Sequence, residues 1–210
     1  MLEHPLDASY ILRHKKKIKR ELLAEQEALL TKNIAVLGGS TTSEIINILE
    51  IFLLKNGINP VFYESEYNRF YEESCFENKR LDEFKPDIVY IHTTNKNIAK
   101  YPELKASPTE VEKLLEEQTE KFKTIWSSLS RFNCVIVQNN FDYTHQRSLG
   151  NLDCYDIHGK TNFISKLNSE FAKLAKDVGN LYINDINYLS AYLGIREWFD
   201  PILWYQANML

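Results

Sequence analysis

The chain has 210 residues, 44% of them hydrophobic, and a formal net charge of −4, enough for one sizeable domain with a full core. The acidic balance removes any global electrostatic case for nucleic acid. The longest apolar stretch, 45–54, contains Asn47 and Glu50 and is too short to span a bilayer, so no membrane partner is expected. No apolar run marks a secretory signal at the amino terminus. Cys75, Cys134 and Cys154 are spaced for neither a zinc site nor a disulfide framework, which fits a reducing cytoplasm.

Leu6 to Leu30 reads as a long helix with Ile11, Ile18, Leu22 and Leu29 on one stripe. Residues 1–32 thus form an amino-terminal helical extension, and residues 33–210 a single α/β domain. The basic run from His14 to Arg20 reads as a solvated helix face, with nucleic acid, an acidic carrier protein or lipid headgroups as alternative contacts. Ile34 to Leu37 is a short buried strand that Gly38-Gly39 breaks. Thr41 and Glu44 stand in capping-box register for a helix over Ser43 to Lys55, which Asn56-Gly57 ends. Strands follow at Val61–Tyr63, Ile88–Ile91, Cys134–Val137 and Leu181–Ile183. Between them lie a short helix and loop over 69–84, an amphipathic helix from Pro108, an irregular stretch over 143–159 and a helix over about 162–177. Helical regions from Asn184 to Gly194 and from Ile202 to Met209 close the chain. Five strands alternating with helices predict a three-layer α/β/α sandwich around a five-stranded parallel sheet of flavodoxin-like topology.

Polar residues cluster where strands end: Ser40 after the first, Asn95 after the third, Asn139 and Asn140 after the fourth. Open parallel sheets bind their ligands at that edge. Ser40 has three readings: a nucleophile, a passive part of an anion cradle with Gly38, Gly39 and Thr41, or a capping residue. Neither a Walker A loop nor a dinucleotide fingerprint fits the glycine spacing. A nucleophilic serine needs a base and oxyanion donors. Amides near Gly39 and the Asn95 side chain are the candidate donors. His92, His145 and His158 are the candidate bases, although a lone histidine is more often structural. Asp200 is followed by Pro201, Ile202 and Leu203, so no histidine accompanies it. No metal cluster is apparent.

Gly38-Gly39-Ser40 resembles the Gly-Asp-Ser block of SGNH (GDSL-type) hydrolases, with Gly39 in place of Asp. Pro86 to Ile91 followed by Thr93-Thr94-Asn95-Lys96 resembles their Gly-x-Asn-Asp block, and Asp200-Pro201-Ile202-Leu203 their Asp-x-x-His block, with Leu203 where the His belongs. The resemblance implies a catalytic set of Ser40, Asn95 and Asp200 that lacks its base. Residues 38–44, 62–68, 85–95, 138–142, 150–153 and 184–189 are similar to the amino-terminal region of FkbH-like proteins. That resemblance implies an SGNH-like domain preceding a haloacid-dehalogenase-type domain in proteins that form glyceryl-type units on an acyl carrier protein. It implies as partners the missing carboxyl-terminal domain, an acyl carrier protein and a small acyl or glyceryl ligand. Mg²⁺ is expected only in the absent domain, whose Asp-x-Asp-x-Thr/Val motif does not occur here, and no cofactor is expected in this chain. An active serine esterase or acyltransferase, with Asn95 in the oxyanion hole, is the alternative.

Overall fold

The computed structural model describes residues 2, 3, 5–25 and 28–208. Its elements are α1 (Ala8–Glu25), β1 (Leu30–Gly38), α2 (Ser43–Lys55), β2 (Ile58–Glu64), α3 (Phe70–Cys75), α4 (Lys79–Phe84), β3 (Ile88–His92), α5 (Pro108–Leu129), β4 (Val135–Asn139), α6 (Lys160–Asp177), β5 (Leu181–Asn184), α7 (Ile186–Leu193), α8 (Ile195–Trp198) and α9 (Pro201–Ala207). The sheet is five-stranded in the order β2-β1-β3-β4-β5, with every pairing parallel. This is the expected flavodoxin-like topology, whose order reverses between β1 and β3.

Alternation sets the two faces. Val89 and Ile91 of β3 are fully buried on one face, together with Ile136 of β4. There they meet Phe122, Ile125 and Leu129 of α5 and Phe163, Leu167 and Phe171 of α6 in the main core. Phe122 is the hub: its ring lies 5.0 Å from Phe171, 5.5 Å from Phe141 and 6.2 Å from Phe70. A second, smaller core joins Ile11, Ile18 and Leu22 of α1 to Ile51 and Leu54 of α2. The amino-terminal helix is therefore docked on α2 through the predicted apolar stripe, while its basic face reaches acids on the same helix, Lys15 to Glu44 and Lys19 to Glu50.

Two local expectations differ. Ala28 and Leu29 are not helical and Leu30 opens β1, because residues 30–33 pair in register with Ile58 to Val61 rather than adding another turn. The Thr41/Glu44 capping box does not form. Thr42 is the N-cap but its hydroxyl donates to Glu64 instead of capping, Glu44 pairs with Lys15, and the Thr41 hydroxyl donates to the Ala207 carbonyl at 2.6 Å. By contrast, Ser107 and Glu110 cap α5 reciprocally, with Pro108 at its first position.

β2 and β5 are the sheet edges. Pro60 lies within β2, opposite Lys32. No helix among the described residues is long and apolar enough to cross a membrane.

Candidate functional site

The reversal of strand order puts the ends of β1 and β3 side by side, and the turn after β1 is locked there. Gly39 N–H donates to the His92 carbonyl at 2.8 Å. The Asn97 side chain returns a bond to the Gly39 carbonyl, also at 2.8 Å, while its Oδ1 accepts from Thr94 N–H at 2.9 Å. A Cβ on Gly39 would stand 2.4 Å from the Asn97 amide, so this glycine is required for close approach. Gly39→Ala is expected to cost about 2 kcal/mol by overpacking. In an Asn97→Ala background the cost should shrink. Equal melting-temperature losses in both backgrounds would break the link between the two residues.

Gly38 N–H donates to Ser65 Oγ at 2.9 Å, and a Cβ there would meet the Thr42 side chain at 2.7 Å. Thr41 is bonded to the far end of the chain: its N–H donates to the Asn208 carbonyl and its hydroxyl to that of Ala207. The end of α9 therefore sits on the turn, and Ser40 is only 3% exposed. Its hydroxyl makes no hydrogen bond with any other described residue.

Asn95 turns to a different partner. Its backbone N–H and Nδ2 donate to the two carboxylate oxygens of Asp142 at 2.9 and 2.7 Å, and Trp198 Nε1–H donates to Asp142 at 3.1 Å. Burial raises the Asp142 pKa, an effect these donors oppose. Of the donors expected for an oxyanion, the Gly39 amide bonds the His92 carbonyl, and one N–H of the Asn95 side chain bonds Asp142. Asn139 is fully buried. It donates to His92 Nδ1 at 3.0 Å and to the Thr93 carbonyl, and accepts from Tyr90 and Asn184. Asn140 clamps α7, donating to Asp185 and accepting from Asn187 N–H. Asp200 caps α9, accepting from Ile202 and Leu203 N–H.

The histidines divide by geometry. His92 Nδ1 accepts from Asn139, so its proton is carried on Nε2. Burial pushes its pKa down to about 4. His158 bonds through both nitrogens, to the Ala106 carbonyl and to Asp156, and its pKa is raised, chiefly by the carbonyl. His145 is exposed, its ring 5.8 Å from that of Phe199. Among the described residues, no group of three or more His, Cys, Asp and Glu is placed to hold a metal ion.

Sequence reasoning passed over Asn97, Asp142 and Asp153. Asp153 gathers the irregular stretch by accepting from Ser148, Leu149 and Thr161 N–H. Its signal was an acid amid 17 residues without regular pattern, and that of Asp142 an acid just past the end of a strand.

A family model described as the FkbH N-terminal domain matches residues 33–210. The chain belongs to the FkbH N-terminal domain family. No curated protein matches it. The fold of this FkbH domain is also that of the N-terminal part of a Bacteroides fragilis protein containing a phosphatase domain, solved in complex with Mg. The TM-score is 0.79 at 17% identity, over 93% of this chain and 51% of that one. The chain thus spans about half the length of that solved structure. A second B. fragilis protein, proposed to be an acylhydrolase, aligns at a TM-score of 0.42 and 11% identity over 94% of this chain and 86% of its own.

Proposed function

We propose that this FkbH domain is a degenerate SGNH-like accessory module of a longer protein, and that its strand-edge cleft binds an acyl, glyceryl or pantetheine group rather than cleaving an ester. The carrying observation is Ser40, covered by the end of α9 and without a histidine bonded to its hydroxyl among the described residues. His92, in the strand that ends beside Ser40, has its Nδ1 occupied by Asn139 and its proton on Nε2, so neither nitrogen is poised to take a proton from a serine. Asp200 accepts from the first amides of α9, and Asn140 bonds Asp185 and Asn187 at the start of α7.

In this reading the module works beside a further domain that carries the transferase and phosphatase chemistry on an acyl carrier protein. In this reading Mg²⁺ belongs to that further domain. Exposed Tyr188, Tyr192, Leu193, Ile202 and Tyr205 on α7 and α9 suit contact with such a domain.

Fluorophosphonate labelling tests the proposal. The folded chain is expected to show no labelling that depends on Ser40. Labelling that disappears in Ser40→Ala would establish an activated serine, replacing this reading with a serine esterase or acyltransferase.

A further inference from the structure

We infer that the pocket between the ends of β3 and β4 and the start of α9 binds a small phosphate monoester. The pocket has a cavity volume of about 350 Å³ and includes Lys96, His145, Lys160, Phe199 and Asp142 in its lining. It lies at the carboxyl edge of the sheet, where parallel α/β folds bind ligands, and falls within the range of small-molecule sites.

Its charge pattern selects the ligand class. Lys96 and Lys160 form no ion pair with any described residue. Each ammonium lies over aromatic rings instead: Lys96 Nζ is 4.7 Å from the Phe199 centroid and 5.5 Å from that of Trp204, and Lys160 Nζ is 5.2 Å from that of Tyr101. Stacking positions a cation without neutralising it. The one acid in the lining, Asp142, is 1% exposed, and its oxygens are turned to Asn95 and Trp198. In a chain with 29 acidic and 25 basic residues, two lysines without acidic partners beside an imidazole make a local positive focus. A dianionic phosphate matches two ammonium groups, while Phe199 and Pro201 offer apolar wall to a short organic substituent.

This inference names the ligand chemistry of the binding-module reading and rests on it. Its test reads the lysines, whereas fluorophosphonate labelling reads Ser40, so the two fail separately. Titration of the full chain with ethyl phosphate, followed through backbone amide chemical shifts, should give saturable changes at residues 96, 145, 160 and 199. Lys96→Ala and Lys160→Ala should each weaken binding about tenfold, the loss of one charge-assisted contact. Lys113→Ala, on the exposed face of α5, should leave it unchanged. Acetate should bind more weakly than ethyl phosphate. Shifts that never saturate, that scatter over surface lysines, or that persist in the Lys96/Lys160 double variant would overturn the site. Acetate binding as tight as ethyl phosphate would overturn the phosphate assignment.

Discussion

Phe122→Ala should destabilise the folded chain by about 4 kcal/mol, the largest loss expected from any single truncation considered. The side chain, on α5, is fully buried and reaches α6 across the main core. Phe171 and Phe141 present their edges to its ring at 5.0 and 5.5 Å, and Trp126 lies 6.3 Å away on the same helix. Truncation removes the ring's transfer free energy and leaves a void that four rigid aromatic neighbours cannot collapse into. Urea unfolding followed by circular dichroism should show a lower midpoint with an unchanged slope. A loss below about 1 kcal/mol would mean that the helix layer is packed more loosely than these ring contacts indicate.

The second large effect depends on pH. His92 has a folded pKa pushed down to about 4 by burial, against 6.5 for the free side chain. Above 6.5 both folded and unfolded chains hold the neutral ring, and the contribution is fully present. As pH falls from 6.5 towards 4, the unfolded chain takes up the proton first, so stability declines across that window. The full span corresponds to about 3 kcal/mol. His92→Gln should flatten this slope relative to the parent, measured as unfolding free energy between pH 7 and pH 4. The same slope in both proteins would show that the buried ring is not its source. The neutral ring also explains why Asn139 can be buried: its amide donates to an unprotonated nitrogen, and protonation would set two donors against each other.

Much of the architecture was legible because local signals agreed with one another. Pro108 marked the start of α5, and the helix it opens is amphipathic as its pattern implied. Strands alternating with helices implied the parallel sheet. The same logic placed Ser40 and Asn95 at one sheet edge. What was not legible is what each polar group bonds to. Thr41 was assigned to a capping box by its neighbours in sequence, yet its partner lies 166 residues away. Glu44 was claimed by the same box but pairs with Lys15, which arrives only because α1 docks on α2. Asn95 suited an oxyanion hole by motif, and the fold placed Asp142 against it. Helix periodicity carried the first helix as far as Leu30, where long-range pairing with Ile58 claimed the residue for a strand. Periodicity reports which face is apolar; it says nothing of which distant donor meets which acceptor.

Pro60 bears on how molecules of this domain meet one another. Leu30 N–H donates to the Gly57 carbonyl, and Ser65 N–H to that of Val36. In a parallel ladder this turns the backbone groups of residues 59, 61 and 63 towards β1, and those of 58, 60 and 62 outwards. The missing donor of Pro60 therefore costs the sheet nothing and falls at the centre of its open margin. A strand from a second molecule laid against β2 would find a gap in the middle of the row it must pair with. The proline thus guards the sheet against growing from chain to chain, the usual hazard of an edge strand.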